Sequence, residues 1–276
     1  MIFIRISFGI FHVVITNYKL IEILLKYGIT FIVEKTNFIP NNMLYQINEI
    51  TRVLIIVFMH SFVSILLYFL SFKILRRNVN RMTINLSLFY FLPGTGFLLS
   101  LFYFFLSTTS IGYILYFISA FCTLSGFIFL VLVMINLTQI KPYKSAKNQI
   151  LIIIAYLVIG LIILFIPNGI TINESTGTPE FSPIFLIVIY IFFSSVIFLP
   201  SLYFSYKIYK SFKDKKLRKK FLFFFIGIIG MLVAFYGLIL FNTWYNPTFR
   251  AIWTVLVFFI VVPSGILIYY GIIHKL

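Results

Sequence analysis

Apolar residues run along this chain in seven long stretches, broken by short polar segments, with neither the period of two expected of a half-buried strand nor the one-sided stripe of a soluble helix. A helix crossing the hydrocarbon core of a bilayer needs about 20 such residues, because every buried backbone N–H and C=O must pair within its own segment. The stretches at 53–75, 82–106, 113–137, 150–166, 184–208, 221–241 and 251–273 meet that length, the fourth being the shortest at 17 residues. The expected fold is therefore all-α, a polytopic membrane bundle of seven transmembrane helices occupying residues 43–276.

The polar segments between the spans add an orientation. Lys73, Arg76, Arg77 and Arg81 follow the first span, Lys141, Lys144 and Lys147 the third, and Lys207, Lys210, Lys213, Lys215, Lys216, Arg218, Lys219 and Lys220 the fifth. Lys275 follows the seventh. The intervening loops, at 107–112, 167–183 and 242–250, hold Arg250 as their one basic residue. Short loops rich in Lys and Arg are retained in the cytoplasm during insertion. The alternation thus predicts a chain entering its first span from outside and a carboxyl terminus ending in the cytoplasm, in the cell membrane.

Composition agrees with that class. Of 276 residues, 62% are hydrophobic and 10% charged, and mean hydropathy is +1.09, well away from soluble domains. A net charge of +16 would point to nucleic acid in a soluble chain. Here the charge sits at membrane boundaries, where it meets anionic lipid headgroups, and the basic cluster lacks the stacking aromatics of nucleic-acid recognition. Cys122 is the single cysteine, so neither an intramolecular disulfide nor a cysteine-rich metal site is available.

The first 42 residues fit less well. MIFIRISFGIFHVVITN is apolar but interrupted by Arg5 and His12, with no small-residue cleavage site after it. In KLIEILLKYGITFIV, Glu22 and Lys26 lie at i,i+4 on one helical face, the pattern of an interfacial helix. A weakly ordered extension, translated upstream sequence with Met43 as the true start, and an eighth span are the alternatives.

Candidate chemistry is sparse. All six acids (Glu22, Glu34, Glu49, Glu174, Glu180 and Asp214) lie outside the spans, and no span interior holds a lysine. That counts against carboxylate-based ion transport, aspartyl intramembrane proteolysis and a retinal Schiff base. A serine protease would need a Ser and a His facing each other. His60 is the only membrane-embedded histidine, and Ser125 before Gly126 lacks the flanking pattern of such enzymes, so no enzyme activity and no cofactor are expected. His60 reads instead as an interhelical hydrogen-bond donor, and Gly227-x-x-Gly230 as a face for close helix packing.

Three groups of residues remain as candidates. Glu174, Glu180, Trp244, Tyr245 and Arg250 lie in the two longer outer loops and could surround a ligand. Asn173-Glu174-Ser175 in the first of these also fits a glycosylation sequon. Lys213, Lys215, Lys216, Arg218, Lys219 and Lys220 form the densest charge cluster, expected to continue the fifth span as a helix and to contact lipid headgroups or an acidic cytoplasmic partner. Pro93, Pro200 and Pro263 interrupt spans and could kink them.

Two stretches carry a resemblance. KILRRNVNRMTINLSLFYFL, a basic exit from span one leading into span two, and the closing PSGILIYYGIIHKL resemble the seven-helix input modules at the amino terminus of prokaryotic sensor histidine kinases. The resemblance covers roughly residues 43–276 and is one of layout. In that family the seventh helix continues into a cytoplasmic signalling domain, whereas this sequence ends at Leu276, so the resemblance implies a sensor whose output passes to a separate cytoplasmic signalling protein. The expectation is a non-enzymatic, receptor-like module. A carrier or channel for a neutral solute is the alternative, although Pro93 of span two has no counterpart in span six as paired three-helix repeats would require. A structural subunit of a membrane complex is the third reading.

Overall fold

The computed structural model describes residues 43–77, 79–106, 109–138, 145–173 and 178–273. The chain divides into two units at Ile55 and Ile56. Of the first, only the opening turns of one helix are described, so the expectations for residues 1–42 lie outside the described residues. The packing below is that of the second unit.

The chain is a helical multi-pass membrane protein, with seven helices among the described residues long and apolar enough to cross a membrane. They are α1 (Met43–Leu75), α2 (Arg81–Leu106), α3 (Ser110–Thr138), α4 (Ala146–Leu164), the composite fifth span of α5 (Pro183–Phe193) and α6 (Leu199–Ser211), α7 (Lys215–Thr243) and α8 (Pro247–Ile273). Between α4 and α5 lie two short strands, β1 (Ile170–Ile172) and β2 (Pro179–Phe181). The helices start where a polar side chain caps them. Asn80, Thr109, Ser145, Ser182, Asp214 and Asn246 each accept a hydrogen bond from a backbone N–H in the first turn of α2, α3, α4, α5, α7 and α8. Those N–H groups have no partner inside the helix, so the caps fix where each span begins.

Three differences from the sequence reading have physical reasons. The loop at 167–183 contains an antiparallel hairpin, with Ile170 opposite Phe181 and Ile172 opposite Pro179, because two apolar side chains, Ile170 and Phe181, are buried beneath it. The basic cluster does not continue span five: α6 ends at Ser211, Phe212 and Asp214 are extended, and Asp214 then starts α7, so Lys215, Lys216, Arg218, Lys219 and Lys220 belong to the sixth span. Span five itself is interrupted by a π turn at Ser194–Phe198 immediately before Pro200. Proline lacks an N–H for the α pattern, and the wider turn accommodates it.

α3 runs through the centre, with every residue from Leu124 to Ile135 buried. Phe127 on it meets Phe89 of α2, Phe193 of α5 and Phe235 of α7 at centroid distances of 6.0, 5.0 and 5.0 Å, all edge to face, while Phe193 and Phe235 stack at 4.0 Å. Edge-to-face contacts align the positive ring edge with the negative face and are worth about 1 kcal/mol each beyond burial. Around the outside, Ile65, Ile154, Ile162, Ile191 and Phe259 are exposed, as residues that face lipid must be.

α7 and α8 approach each other closely. Gly227, Gly230, Ala234 and Gly237 share one face of α7, and a methyl group on Gly227 would stand 2.7 Å from the Ser264 carbonyl oxygen. On Gly230 it would strike the Ser264 hydroxyl, and on Gly237 the Trp253 ring. The face read as bare from Gly227-x-x-Gly230 is thus filled by α8. Pro93 lies inside α2 and is buried against Gly126 of α3, where an added methyl would come within 2.5 Å of the proline ring; Pro263 lies inside α8. Gly237→Leu is expected to lower the melting temperature of the detergent-solubilised protein, at a cost of about 1–3 kcal/mol of overpacking. The double variant with Trp253→Ala should recover part of the loss, and equal melting of all three proteins would refute the contact.

Candidate functional site

The bundle has two chemically different ends. One carries the β-hairpin and the α7–α8 turn and is here the hairpin face; the other carries the lysine cluster and is the basic face. Each holds a cavity.

At the hairpin face, α4 ends at Leu164 and the chain turns sharply through Asn168, which takes a left-handed conformation with φ 55°. Asparagine tolerates that region better than most residues. The turn sends β1 back over the bundle, where the Ser182 N–H donates to the Gly169 carbonyl (2.9 Å) and the Asn173 N–H to the Thr178 carbonyl (2.9 Å). Phe181 packs on Phe185 of α5 (4.9 Å) and on Tyr116 of α3 (6.4 Å), so the hairpin is joined to two helices. Between β1, the start of α3 and the end of α4 lies a groove of about 660 Å³. Tyr113, Phe117 and Phe165 form its aromatic side, with Phe117 and Phe165 stacked at 5.6 Å and 23°. Thr109, Asn168 and Thr171 supply polar groups, and among the described residues no charged side chain lines it.

Of the residues proposed from sequence as an outer ligand region, Glu180, Trp244, Tyr245 and Arg250 do not line this groove. Glu174 lies outside the described residues. Glu180, Tyr245 and Arg250 do come together, but as a clamp: β2 lies against α7, the Glu180 carboxylate accepts from the Asn173 amide (2.8 Å), and it lies near enough to the Tyr245 phenol to raise its pKa. Arg250 donates through Nε to the carbonyls of Phe241 (3.1 Å) and Trp244 (3.3 Å), covering the end of α7, and its guanidinium lies 4.4 Å over the Tyr245 ring. A cation at a helix carboxyl end is favourably placed for the exposed carbonyls and the helix dipole. Trp244 is half-exposed and packs against Phe249 at 5.1 Å.

At the basic face, Asp214 is spent on capping α7, and Arg218 lies 4.3 Å over the Tyr209 ring, tying α7 to α6. The second cavity, of about 270 Å³, opens among the ends of five helices. Met82 of α2, Leu137 of α3, Ile208 of α6, Leu217 and Phe221 of α7 and Ile272 of α8 make its walls. Of the six basic residues singled out from sequence, Lys220 alone lines it; the others lie on the surface around it. Sequence reasoning placed an outer pocket under the 167–183 loop, five of whose residues line the groove, but chose its charged and aromatic side chains instead of these; it missed the cavity at the basic face, which is assembled from residues far apart in the chain with no shared spacing.

The remaining candidates have structural partners. The His60 ring meets Phe97 of α2 edge-on at 5.7 Å, and Ser125 donates to the Phe121 carbonyl of its own helix (2.6 Å). No group of three or more metal-ligating side chains occurs among the described residues.

The clamp makes a pH prediction. Burial first, then the neighbouring Glu180 carboxylate, raise the Tyr245 phenol from 10.0 to about 12, with Arg250 acting the other way. A raised folded pKa means that the clamp's contribution is intact below pH 10, where folded and unfolded tyrosine are both protonated, and is lost as pH rises toward 12. In NMR of tyrosine-labelled protein, the resonance absent from Tyr245→Phe should titrate near 12 and move down toward 10 in Glu180→Gln; titration at 10 in both would show that the contact does not form.

No protein-family model matches the chain, and no curated protein or solved structure is significantly similar to it.

Proposed function

We propose that this protein is a non-enzymatic, receptor-like sensor. Its hairpin face lies outside the cell membrane and its basic face in the cytoplasm. A small neutral cue binds in the groove between α3, α4 and β1, and the resulting shift passes to the basic face, where a separate cytoplasmic protein reads it. The observation that carries this reading is the groove itself. At about 660 Å³ it falls within the range of roughly 300–1,000 Å³ common to small-molecule sites, and it pairs an aromatic wall with a few polar groups. Its aromatic wall and the neutral polar groups among its described lining residues favour an uncharged ligand with one flat apolar side.

A route for the shift follows from the connectivity. The hairpin that forms one wall continues directly through Ser182 into α5, which ends in the π turn at Ser194–Phe198. Ser194 shares a 2.5 Å hydrogen bond with the Tyr236 hydroxyl, and the Tyr190 hydroxyl donates to the Tyr236 carbonyl, so the irregular turn is held to α7 by hydrogen bonds as well as by aromatic stacking. A ligand moves such an equilibrium only if it binds one arrangement better than the other. The packed core between the two cavities, with Phe89, Leu130, Phe193 and Ile228 fully buried, favours a sensor over a carrier.

Two measurements test this. In a Cys122→Ser background, Thr171→Cys in intact cells should react with a membrane-impermeant maleimide, and Lys213→Cys only after permeabilisation; the reverse pattern would invert the orientation. In a thermal-shift screen of neutral amphipathic compounds against the purified protein, a hit should lose roughly tenfold in affinity in Phe165→Ala and Tyr113→Ala, the cost of about one aromatic contact, while Glu180→Gln leaves it unchanged. Equal binding to Phe165→Ala would remove the groove as the site.

A further inference from the structure

We propose that the cavity at the basic face is the docking site for an acidic, amphipathic segment of a partner protein, which seats one large apolar side chain in the cavity and lays carboxylates on the surrounding lysines. This deepens the sensor reading by assigning its output surface, but the docking itself is a property of the basic face alone.

Placement comes first. The walls are the last turns of α3, α6 and α8 and the first turns of α2 and α7, so the cavity opens along the bundle axis, at the end of the helices. Lipid tails surround a bundle on its flanks. An opening framed by five helix ends faces water instead, and a polypeptide reaches it more readily than a bilayer lipid.

Size and chemistry narrow the occupant. At about 270 Å³ the cavity falls below the range of roughly 300–1,000 Å³ used by small molecules. It matches the pocket that a single anchoring side chain fills in a protein interface, where a desolvated apolar centre is ringed by polar contacts. Met82, Leu137, Ile208, Phe212 and Phe221 provide that centre. Lys220 stands in the wall, and Lys207, Lys210, Lys213, Lys215, Lys216 and Lys219 are exposed around it. The single acid in this stretch, Asp214, has its carboxylate turned to the Lys216 backbone N–H. The face therefore offers an apolar socket in a positive field, and the complementary surface is an apolar anchor flanked by Glu or Asp, which the field also steers toward it.

The surface is preorganised as well. The connection from α6 to α7 is only Phe212, Lys213 and Asp214, with Phe212 against Phe221 at 5.5 Å and Arg218 against Tyr209. A rigid rim loses little entropy when a partner binds.

The test uses the full-length protein in nanodiscs of phosphatidylcholine, with no other ligand added. The probe is a dye-labelled synthetic helix-forming peptide carrying one central leucine among glutamates, and binding is read by fluorescence anisotropy. Replacing that leucine with alanine, or filling the cavity by Ser211→Trp, is expected to weaken binding about tenfold, the effect of losing an apolar anchor. Lys220→Gln should weaken it severalfold, and Lys147→Gln on α4, outside the cavity, should leave it unchanged. Leu217→Glu, which puts a like charge in the wall, serves as a second cavity variant should Ser211→Trp fail to fold, each being checked by its melting curve. Phe165→Ala in the groove should bind the peptide normally, so that failure of the sensor reading and failure of the docking site are told apart. The proposal falls if the leucine and alanine peptides bind equally, since the lysines would then act by charge alone. It also falls if the peptide does not bind, or if phosphatidylserine in the disc displaces it from the wild type and the cavity proves to hold a lipid.

Discussion

Inside a bilayer, a helix gains nothing by exchanging lipid for a neighbour of equal apolarity, so the whole bundle depends on how closely its backbones approach and on what polar contacts they make when they do. The hydroxyl groups answer the second need in one recurrent way. Ser64 donates to the Gly94 carbonyl, Ser119 to that of Gly96, Tyr90 to that of Gly265, Tyr156 to that of Leu124 and Tyr190 to that of Tyr236, each from one helix to the backbone of another. A helical carbonyl has a second lone pair free after its own i→i+4 bond, so these contacts cross between helices without breaking either one. Three of the five accepting carbonyls belong to glycine, where the donor helix can approach unhindered by a side chain.

The same requirement explains why the helices are paired unevenly. α2 and α3 meet through Gly96 against Thr123 and Gly126 against Pro93, and α7 and α8 meet through Gly227, Gly230 and Gly237. These are surfaces with no slack, because an added carbon would collide with backbone, with a ring or, at Gly230, with the Ser264 hydroxyl. α5 and α6 have no such surface; they are held by large aromatic side chains and by the hydroxyls of Tyr190, Ser194 and Tyr236. Two close-packed pairs thus frame a fifth span that is the most irregular in the molecule.

The number and position of the spans could be read from sequence because length and apolarity are local properties. Their ends could not be read so well: the limit at 221 for span six misses the helical turns from Lys215, since charged residues there are helical by virtue of the Asp214 cap, and a capping Asp beside lysines looks like loop. The hairpin was hidden for a related reason. A strand of three residues carries no periodicity, and what holds Ile170 and Phe181 in place is burial on Tyr116 and Phe185, distant in the chain. At the outer loops, sequence picked the charged and aromatic residues, and the structure gathers Glu180, Tyr245 and Arg250, with Glu180 bonded within the hairpin and Arg250 to the end of α7, so that neither lines the open space. The open space lies beside residues such as Phe117, Phe165 and Thr171, which as sequence are indistinguishable from the rest of an aromatic-rich membrane protein.

The irregular fifth span has a position that matters more than its irregularity. It is continuous with the hairpin at one end, and at the other it supplies Ile208 and Ser211 to the cavity at the basic face. α3 and α7 also run the full depth, but α3 is buried along its central length and α7 is locked to α8 by its glycines, so neither can slide without opening backbone contacts. A π turn contains one residue more than the α pattern allows; moving it along the helix re-phases only the residues it passes, whereas drawing it back into the α pattern turns and shifts everything beyond it. In this molecule everything beyond it is α6, the wall of the basic cavity. A displacement of the hairpin would therefore reach the opposite face along a span whose register is not fixed by close backbone packing.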